Sequence, residues 1–263
     1  MDLGLRGKTA LVTAASRGLG RAIAEVLAAE GASLVICARG ADALAEARDA
    51  IADRSGVDVD MVAADVATEE GITRVWQHAC DRFGRVDVLV TNAGGPPSGP
   101  FETHEWKTWM HAVELTLRSA VELTRLVLPG MKERRWGRIL NVTSIAVKQP
   151  VDGLMLSNSL RAAVTGFART LANEVARHGI TVNNMMPGYT RTERVEQLNA
   201  ATAAREGITV DDVARRIEAQ IPMRRLGEPG EFAALAAFLA SEQASYITGQ
   251  SIAVDGGWIR SLL

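Results

Sequence analysis

Two hydrophobic periods alternate along the chain. Short runs of apolar and β-branched residues recur at positions 9–13, 33–37, 57–63, 86–90, 138–142, 180–185 and 250–254. Between them, segments 19–30, 41–54, 69–83, 106–131 and 160–177 space their apolar residues at intervals of three and four. A strand that is apolar on both faces must be covered on both, and a helix with one apolar stripe supplies such a cover. Alternation of the two element types therefore predicts right-handed crossovers between parallel strands.

The fold class expected from this rhythm is α/β: a single-domain, Rossmann-type, doubly wound parallel sheet of about seven strands with helices on both faces, spanning residues 1–263. One stretch departs from the pattern. Residues 189–226 lie between a strand and a helix, where connections usually run to about 2–6 residues. A partly helical flap shaping a substrate pocket is the expectation there.

Composition narrows the class. The 263 residues carry 29 Lys+Arg against 31 Asp+Glu, a net charge of −2 that lacks the basic footprint of a nucleic-acid binder. Two cysteines, Cys37 and Cys80, cannot build a disulfide framework and fit a reducing compartment. No run approaches the ~20 uncharged residues of a membrane span, and the start has no signal-like apolar stretch. A soluble, cytoplasmic protein acting on a small molecule is expected, with neither nucleic acid nor membrane as partner. His78, His104, His111 and His178 show no metal-ligand spacing, so no metal site is expected. Trp106 and Trp109 read as core or interface aromatics, and Cys37 as a packed small hydrophobe.

The first strand runs into Thr13-Ala14-Ala15-Ser16-Arg17-Gly18-Leu19-Gly20, and a helix follows at once. Gly18 and Gly20 permit a tight turn and a close ligand, while free N–H groups and the helix dipole attract a pyrophosphate. The second strand ends in Cys37-Ala38-Arg39-Gly40. An acidic residue there would accept from a ribose 2′-hydroxyl, whereas a guanidinium suits a 2′-phosphate. With Arg17 facing the same region, two cations could clamp that phosphate, and NADP(H) is favoured over NAD(H).

These residues, together with Asp65-Val66, Asn92-Ala93-Gly94, Pro187-Gly188, Tyr246-Ile247-Thr248-Gly249 and Val254-Asp255-Gly256-Gly257, resemble the short-chain dehydrogenase/reductase family from Leu5 to Trp258. The likeness is greatest to its 3-oxoacyl-carrier-protein reductase group. It implies that the turn from Thr13 through Ala15, Ser16, Arg17, Gly18, Leu19 and Gly20 holds the cofactor phosphates. It further implies that Asp65 and Val66 meet the adenine, that Asn92, Ala93 and Gly94 lie along the adenosine ribose, and that Pro187, Gly188 and Thr190 face the nicotinamide. The family's first glycine of the turn is Ala14 here; a methyl group is tolerable unless the residue takes φ > 0, so the turn is expected to keep its cofactor.

The family's proton relay is a serine, a tyrosine thirteen residues later, a lysine four residues beyond that, and an asparagine on the preceding helix. Those positions fall on Ser144, Ser157, Arg161 and Thr116, so only the serine is kept. A serine hydroxyl is a far weaker acid than a tyrosine, and an arginine stays protonated where a lysine could shuttle. Losing a positioned general acid removes a factor of ~10²–10⁴. Ser157 and Arg161, at i and i+4, share a helix face. With Ser144 they could stabilise an oxyanion while water supplies the proton, or bind a carboxylate or phosphate. The bland alternative places Ser157 near a helix start and pairs Arg161 with a carboxylate. Lys148 is a weaker candidate for a displaced acid.

Three functions fit these residues. One is an NADP(H)-dependent oxidoreductase acting on a carbonyl or alcohol by an atypical relay. Another is an NADP(H)-binding pseudoenzyme, a sensor or partner-stabilising module. The third is a non-redox lyase. The resemblance also implies assembly as a homotetramer.

Overall fold

Every side chain of the first strand, β1 (Thr9–Thr13), is buried, as a central strand covered on both faces requires. It pairs in parallel with β2 (Ser33–Ala38) on one side and β4 (Val88–Thr91) on the other. The computed structural model describes residues 2–262, and its seven strands form one parallel sheet in the order β3-β2-β1-β4-β5-β6-β7. The remaining strands are β3 (Val59–Ala63), β5 (Gly137–Val142), β6 (Ile180–Pro187) and β7 (Ser251–Val254). Chain direction across the sheet reverses between β1 and β4, which opens a crevice at their carboxyl ends.

Two apolar layers sandwich the sheet. On one face α1 (Gly18–Ala29), α2 (Ala41–Ser55) and α9 (Pro229–Ala240) contribute Ile23, Leu27, Leu44, Ile51, Phe232 and Leu239. On the other, α3 (Glu69–Phe83), α5 (Ser119–Arg134) and α6 (Met155–Val175) contribute Val75, Leu123, Val127, Leu171 and Val175. The expected α/β architecture is the one observed.

Several boundaries shift by one or two residues from the sequence reading, and three departures stand out. The fourth strand begins at Val88 rather than 86; just before it the buried Asp87 carboxylate takes the Thr9 N–H at 3.0 Å together with Arg85 and Arg134. The helix expected over 106–131 is α4 (Trp106–Ala112), a π-helical stretch (Val113–Arg118), then α5. Helix α6 starts five residues before 160, at Met155, where Ser159 Oγ donates back to the Met155 carbonyl at 3.0 Å and Asn158 Nδ2 to the Val151 carbonyl at 3.0 Å.

A polar row crosses the sheet near the crevice. Thr91 Oγ1 donates to Asn141 Oδ1 at 2.7 Å, Asn141 Nδ2 to Asn184 Oδ1 at 3.1 Å, and Asn184 Nδ2 to Ser251 Oγ at 3.1 Å. Each pair sits opposite in the strand register. A buried amide left without its partner costs about 1–3 kcal/mol. Asn141→Ala strands both Thr91 and Asn184, so it should lower unfolding free energy by about 2–4 kcal/mol, read as a reduced denaturant midpoint.

Candidate active site

The turn after β1 is built for close contact. Gly18 takes φ +58°. A Cβ on Gly20 would lie 2.2 Å from the Ala14 carbonyl oxygen, so α1 can rest on the turn only if that residue is glycine. Ala14 itself has φ +49°, in the left-handed region. The sequence reading makes its methyl group tolerable unless the residue takes φ > 0; it does, and that conformation costs an L-residue roughly 1–2 kcal/mol. Thr13 Oγ1 donates to the Asn92 carbonyl at 2.6 Å and accepts from the Asn92 N–H at 2.9 Å, which ties the ends of β1 and β4 together. The Ala15 N–H donates to the Cys37 carbonyl at 3.0 Å and anchors the turn to β2.

The N-terminus of α1 has neither a side-chain cap nor an acidic residue in its first turn. Helices α3 and α9, by contrast, neutralise theirs: α3 has Thr68 Oγ1 on the Gly71 N–H together with Glu69 and Glu70, and α9 has a reciprocal Glu228–Glu231 box. Uncapped N–H groups at the positive end of a helix suit an anion. A Cβ on Gly94 would meet no atom within 4 Å, so space lies open above the end of β4. The cradle fits a dinucleotide pyrophosphate.

The flanking positions are held by short-range bonds. Asp65 Oδ1 accepts from the Ala67 N–H at 3.0 Å, and Val66 is buried against the second apolar layer. Gly188 packs so closely on Asp255 that a Cβ would lie 2.6 Å from its Cα, which fixes Pro187 and Gly188 beside β7. Thr190 is buried just beyond. Ser16 and Leu19 are half-buried in the turn, and Ala93 follows Asn92 at the mouth of the crevice. Arg39 is exposed and, among the described residues, makes no ion pair. Arg17, by contrast, pairs with Glu193 of the flap rather than standing free.

The relay positions converge in part. Arg161 belongs to the inward stripe of α6 with Leu156, Leu160, Val164 and Ala168, and is only 8% exposed. Its Nη1 donates to the Val142 carbonyl at 2.7 Å and its Nε to Ser157 Oγ at 3.3 Å. It pairs with no carboxylate among the described residues. Burial, then the neighbouring Arg194 charge, push it down to about 10, so it remains a cation at neutral pH. Ser157 does not cap α6; it accepts from Arg161. Thr116 lies in the π-helical stretch, buried, with its hydroxyl unpartnered, in a small cavity shared with Asn92, Val142 and Arg161. Such helical bulges mark many functional sites. Ser144 leaves β5 two residues after Val142. Its Oγ accepts from the Ala146 N–H at 3.1 Å, leaving its own proton free, and it bonds to neither Ser157 nor Arg161.

The 189–226 segment is mostly helical, comprising α7 (Glu193–Glu206) and α8 (Val210–Gln220). Its stem closes where the Gly227 N–H meets the Tyr189 carbonyl at 3.0 Å and the Arg191 N–H meets the Gly227 carbonyl at 2.8 Å. Its underside packs Ile221 and Leu226 with Trp258 beside the turn that follows Ser144. Arg194 was not singled out by the sequence reading. Its Nη2 donates to the Pro96 carbonyl at 2.9 Å, above Gly95. The available signal was an arginine six residues past a Pro-Gly turn.

Other side chains stand apart. Lys148 is exposed. Among the described residues no cluster of three His, Cys, Asp or Glu side chains could hold a metal ion, and no helix is long and apolar enough to cross a membrane. Trp109 packs on Leu156 and Leu160, but Trp106 is 73% exposed and is not core. Cys37 is buried, and burial pushes its thiol up to about 12.

A doubly wound sheet with an uncapped glycine turn at its crevice defines a dinucleotide-binding class of protein. The family model for enoyl-(acyl carrier protein) reductase matches residues 13–259, and the chain belongs to the short-chain dehydrogenase/reductase family. It is 38% identical to the 3-oxoacyl-(acyl-carrier-protein) reductase of Vibrio cholerae over 97% of this chain and 98% of that one. It is 37% identical to the D-beta-hydroxybutyrate dehydrogenase of Cupriavidus necator over 97% and 99%. The crystal structure of L-sorbose reductase from Gluconobacter frateurii, complexed with NADPH and L-sorbose, superimposes with a TM-score of 0.94 at 36% identity, covering all of both chains.

Two substitutions check the cradle. Ala14→Gly relieves the left-handed strain but adds unfolded-state freedom, for a net gain of about 0.5–1 kcal/mol. Gly20→Ala should lose about 1–3 kcal/mol by overpacking. Thermal unfolding of both variants measures the difference. At pH 8 to 9, within about a unit of the ordinary thiol pKa of ~8.5, native Cys37 should resist alkylation and react only in denaturant, as mass spectrometry of the labelled peptide would report.

Proposed function

We propose that the chain is an NADP(H)-dependent oxidoreductase that interconverts a carbonyl and an alcohol on a small molecule, moving the proton by a relay of Ser144, Ser157, Arg161 and Thr116. The observation that carries this reading is the uncapped N-terminus of α1 above a turn whose Gly20 leaves no room for a side chain. Arg39, exposed and without an ion pair among the described residues, supports this reading as the group that would hold a 2′-phosphate. The NADPH complex of the sorbose reductase supports the cofactor choice.

Bound NADPH would supply the hydride. The residues of this chain then deal with the charge that develops on the carbonyl oxygen. Ser144 keeps a free hydroxyl proton for that oxygen, and the Arg161 cation lowers the energy of a negative charge nearby. Arg161 would also donate to the ribose hydroxyls of a bound cofactor and so help to orient the nicotinamide. Neither serine can rest as an anion near neutrality, and Arg161 does not release its proton, so the proton reaches the alkoxide from water through the Ser157 and Thr116 hydroxyls. Tyr189 is no substitute acid, because burial raises its pKa and no cation lowers it. We further infer assembly into a homotetramer through the outer face of α6, where Ala162, Ala163 and Gly166 are exposed.

Purified protein incubated with NADPH and a carbonyl panel should consume the cofactor above background; bound NADPH with no consumption would overturn the redox reading. The double variant Ser157→Tyr/Arg161→Lys restores a positioned acid and should accelerate reduction by up to ~10²–10⁴. Arg39→Ala should weaken NADPH about 10- to 100-fold and leave NADH nearly unchanged, as fluorescence titration would read. Glu193→Gln frees Arg17 from an exposed ion pair and should tighten NADPH by about 1.5- to 5-fold.

A further inference from the structure

Buried cations in this fold are normally compensated. Arg138, 1% exposed, has Glu242 at 3.6 Å, three backbone carbonyl bonds and the face of Trp136 at 4.3 Å. Arg134 has the buried Asp87 carboxylate at 3.3 Å. Two guanidinium groups break that rule, and both lie against the loop after β4: Asn92 and Ala93 line the small cavity of Arg161, and Gly95 and Pro96 carry Arg194.

Among the described residues Arg161 is met by a carbonyl and a hydroxyl and by no carboxylate. Arg194 is half-buried on the first turn of α7 and is met only by the Pro96 carbonyl. Neither has a carboxylate partner among the described residues, and the charge on Arg194 is felt at Arg161. The approach of Arg194 depends on a missing side chain, because a Cβ on Gly95 would lie 2.8 Å from its Nη2. Glu193, the acidic residue beside it, is turned away to Arg17. Thr116 adds a buried hydroxyl with no partner in the cavity next to Arg161. Two like charges held together in a partly dry crevice raise each other's energy, and an anion between them removes that penalty.

We propose that Arg161 and Arg194 recognise a carboxylate on the substrate, with Arg194 carried in by the flap. The inference rests on the reading of this crevice as a redox site and narrows its substrates to oxo acids and hydroxy acids. A planar carboxylate matches the fork of a guanidinium, which a neutral carbonyl compound does not. In the reductive direction the carboxylate would orient the carbonyl toward Ser144, and the flap would close on charged substrates in preference to neutral ones.

The test uses oxamate and its neutral isostere oxamide, neither of them offered for reduction, titrated calorimetrically into the full-length protein with and without saturating NADPH in chloride-free buffer. Oxamate should bind at least about tenfold more tightly than oxamide, and Arg194→Gln should abolish most of that ratio while Arg194→Lys restores part of it. Thermal unfolding of the Arg194 variants checks that they are folded. Equal affinities for oxamate and oxamide in the NADPH-loaded protein would overturn the proposal. NADPH that fails to bind while oxamate is still preferred would overturn the redox reading and leave the anion pair standing.

Discussion

The approach of α1 to the turn beneath it constrains everything at the crevice. Gly20 lets the helix sit on the Ala14 carbonyl, and that contact points the helix N-terminus across the open end of the sheet. The Thr13–Asn92 exchange then joins β1 to β4 at the point where chain direction reverses. One strand end thereby fixes a phosphate cradle and the other begins the loop that carries Gly94 and Gly95. A displacement at either would move both halves of the site together.

Beyond these contacts lies the end of the crevice proposed to handle the proton. Arg161 turns inward and hydrogen-bonds the Val142 carbonyl, so a permanent charge sits where β5 delivers Ser144. On the proposed register Ser157 stands where the resemblance implies a tyrosine, with neither its acidity nor its ring. Arg161 stands where it implies a lysine and brings a fixed charge with more donors. On that proposed reading a serine and an arginine favour holding an anion over delivering a proton, and Arg194 of the flap would add a second guanidinium.

Much of the fold was legible because it rests on local periodicity. Strands buried on both faces read as continuous apolar runs, and α3 was bounded correctly at Glu69 and Phe83 by its threonine cap and following glycine. The start of α6 was not, since Ser157, Asn158 and Ser159 are weak helix formers that this helix satisfies by bonds back along the chain. The π-helical stretch at Thr116 leaves no mark on hydrophobic spacing. Arg161 and Ser157 could be located by register, but the inward turn of the guanidinium depends on a carbonyl from another strand. Arg194 depends on a distant glycine, Gly95, and on the angle of the flap. Long-range pairings of this kind are invisible to any window of sequence.

The polar row from Thr91 to Ser251 has a consequence for how the sheet is assembled. Parallel strands rich in valine, leucine and isoleucine have little to choose between neighbouring alignments, because sliding by two residues exchanges one aliphatic for another. Hydrogen-bonding side chains at matched positions in four successive strands act as an index mark: only one alignment lets each amide meet its neighbour. The half of the molecule that carries the proposed relay residues is therefore the half whose strands cannot quietly settle one notch out of place.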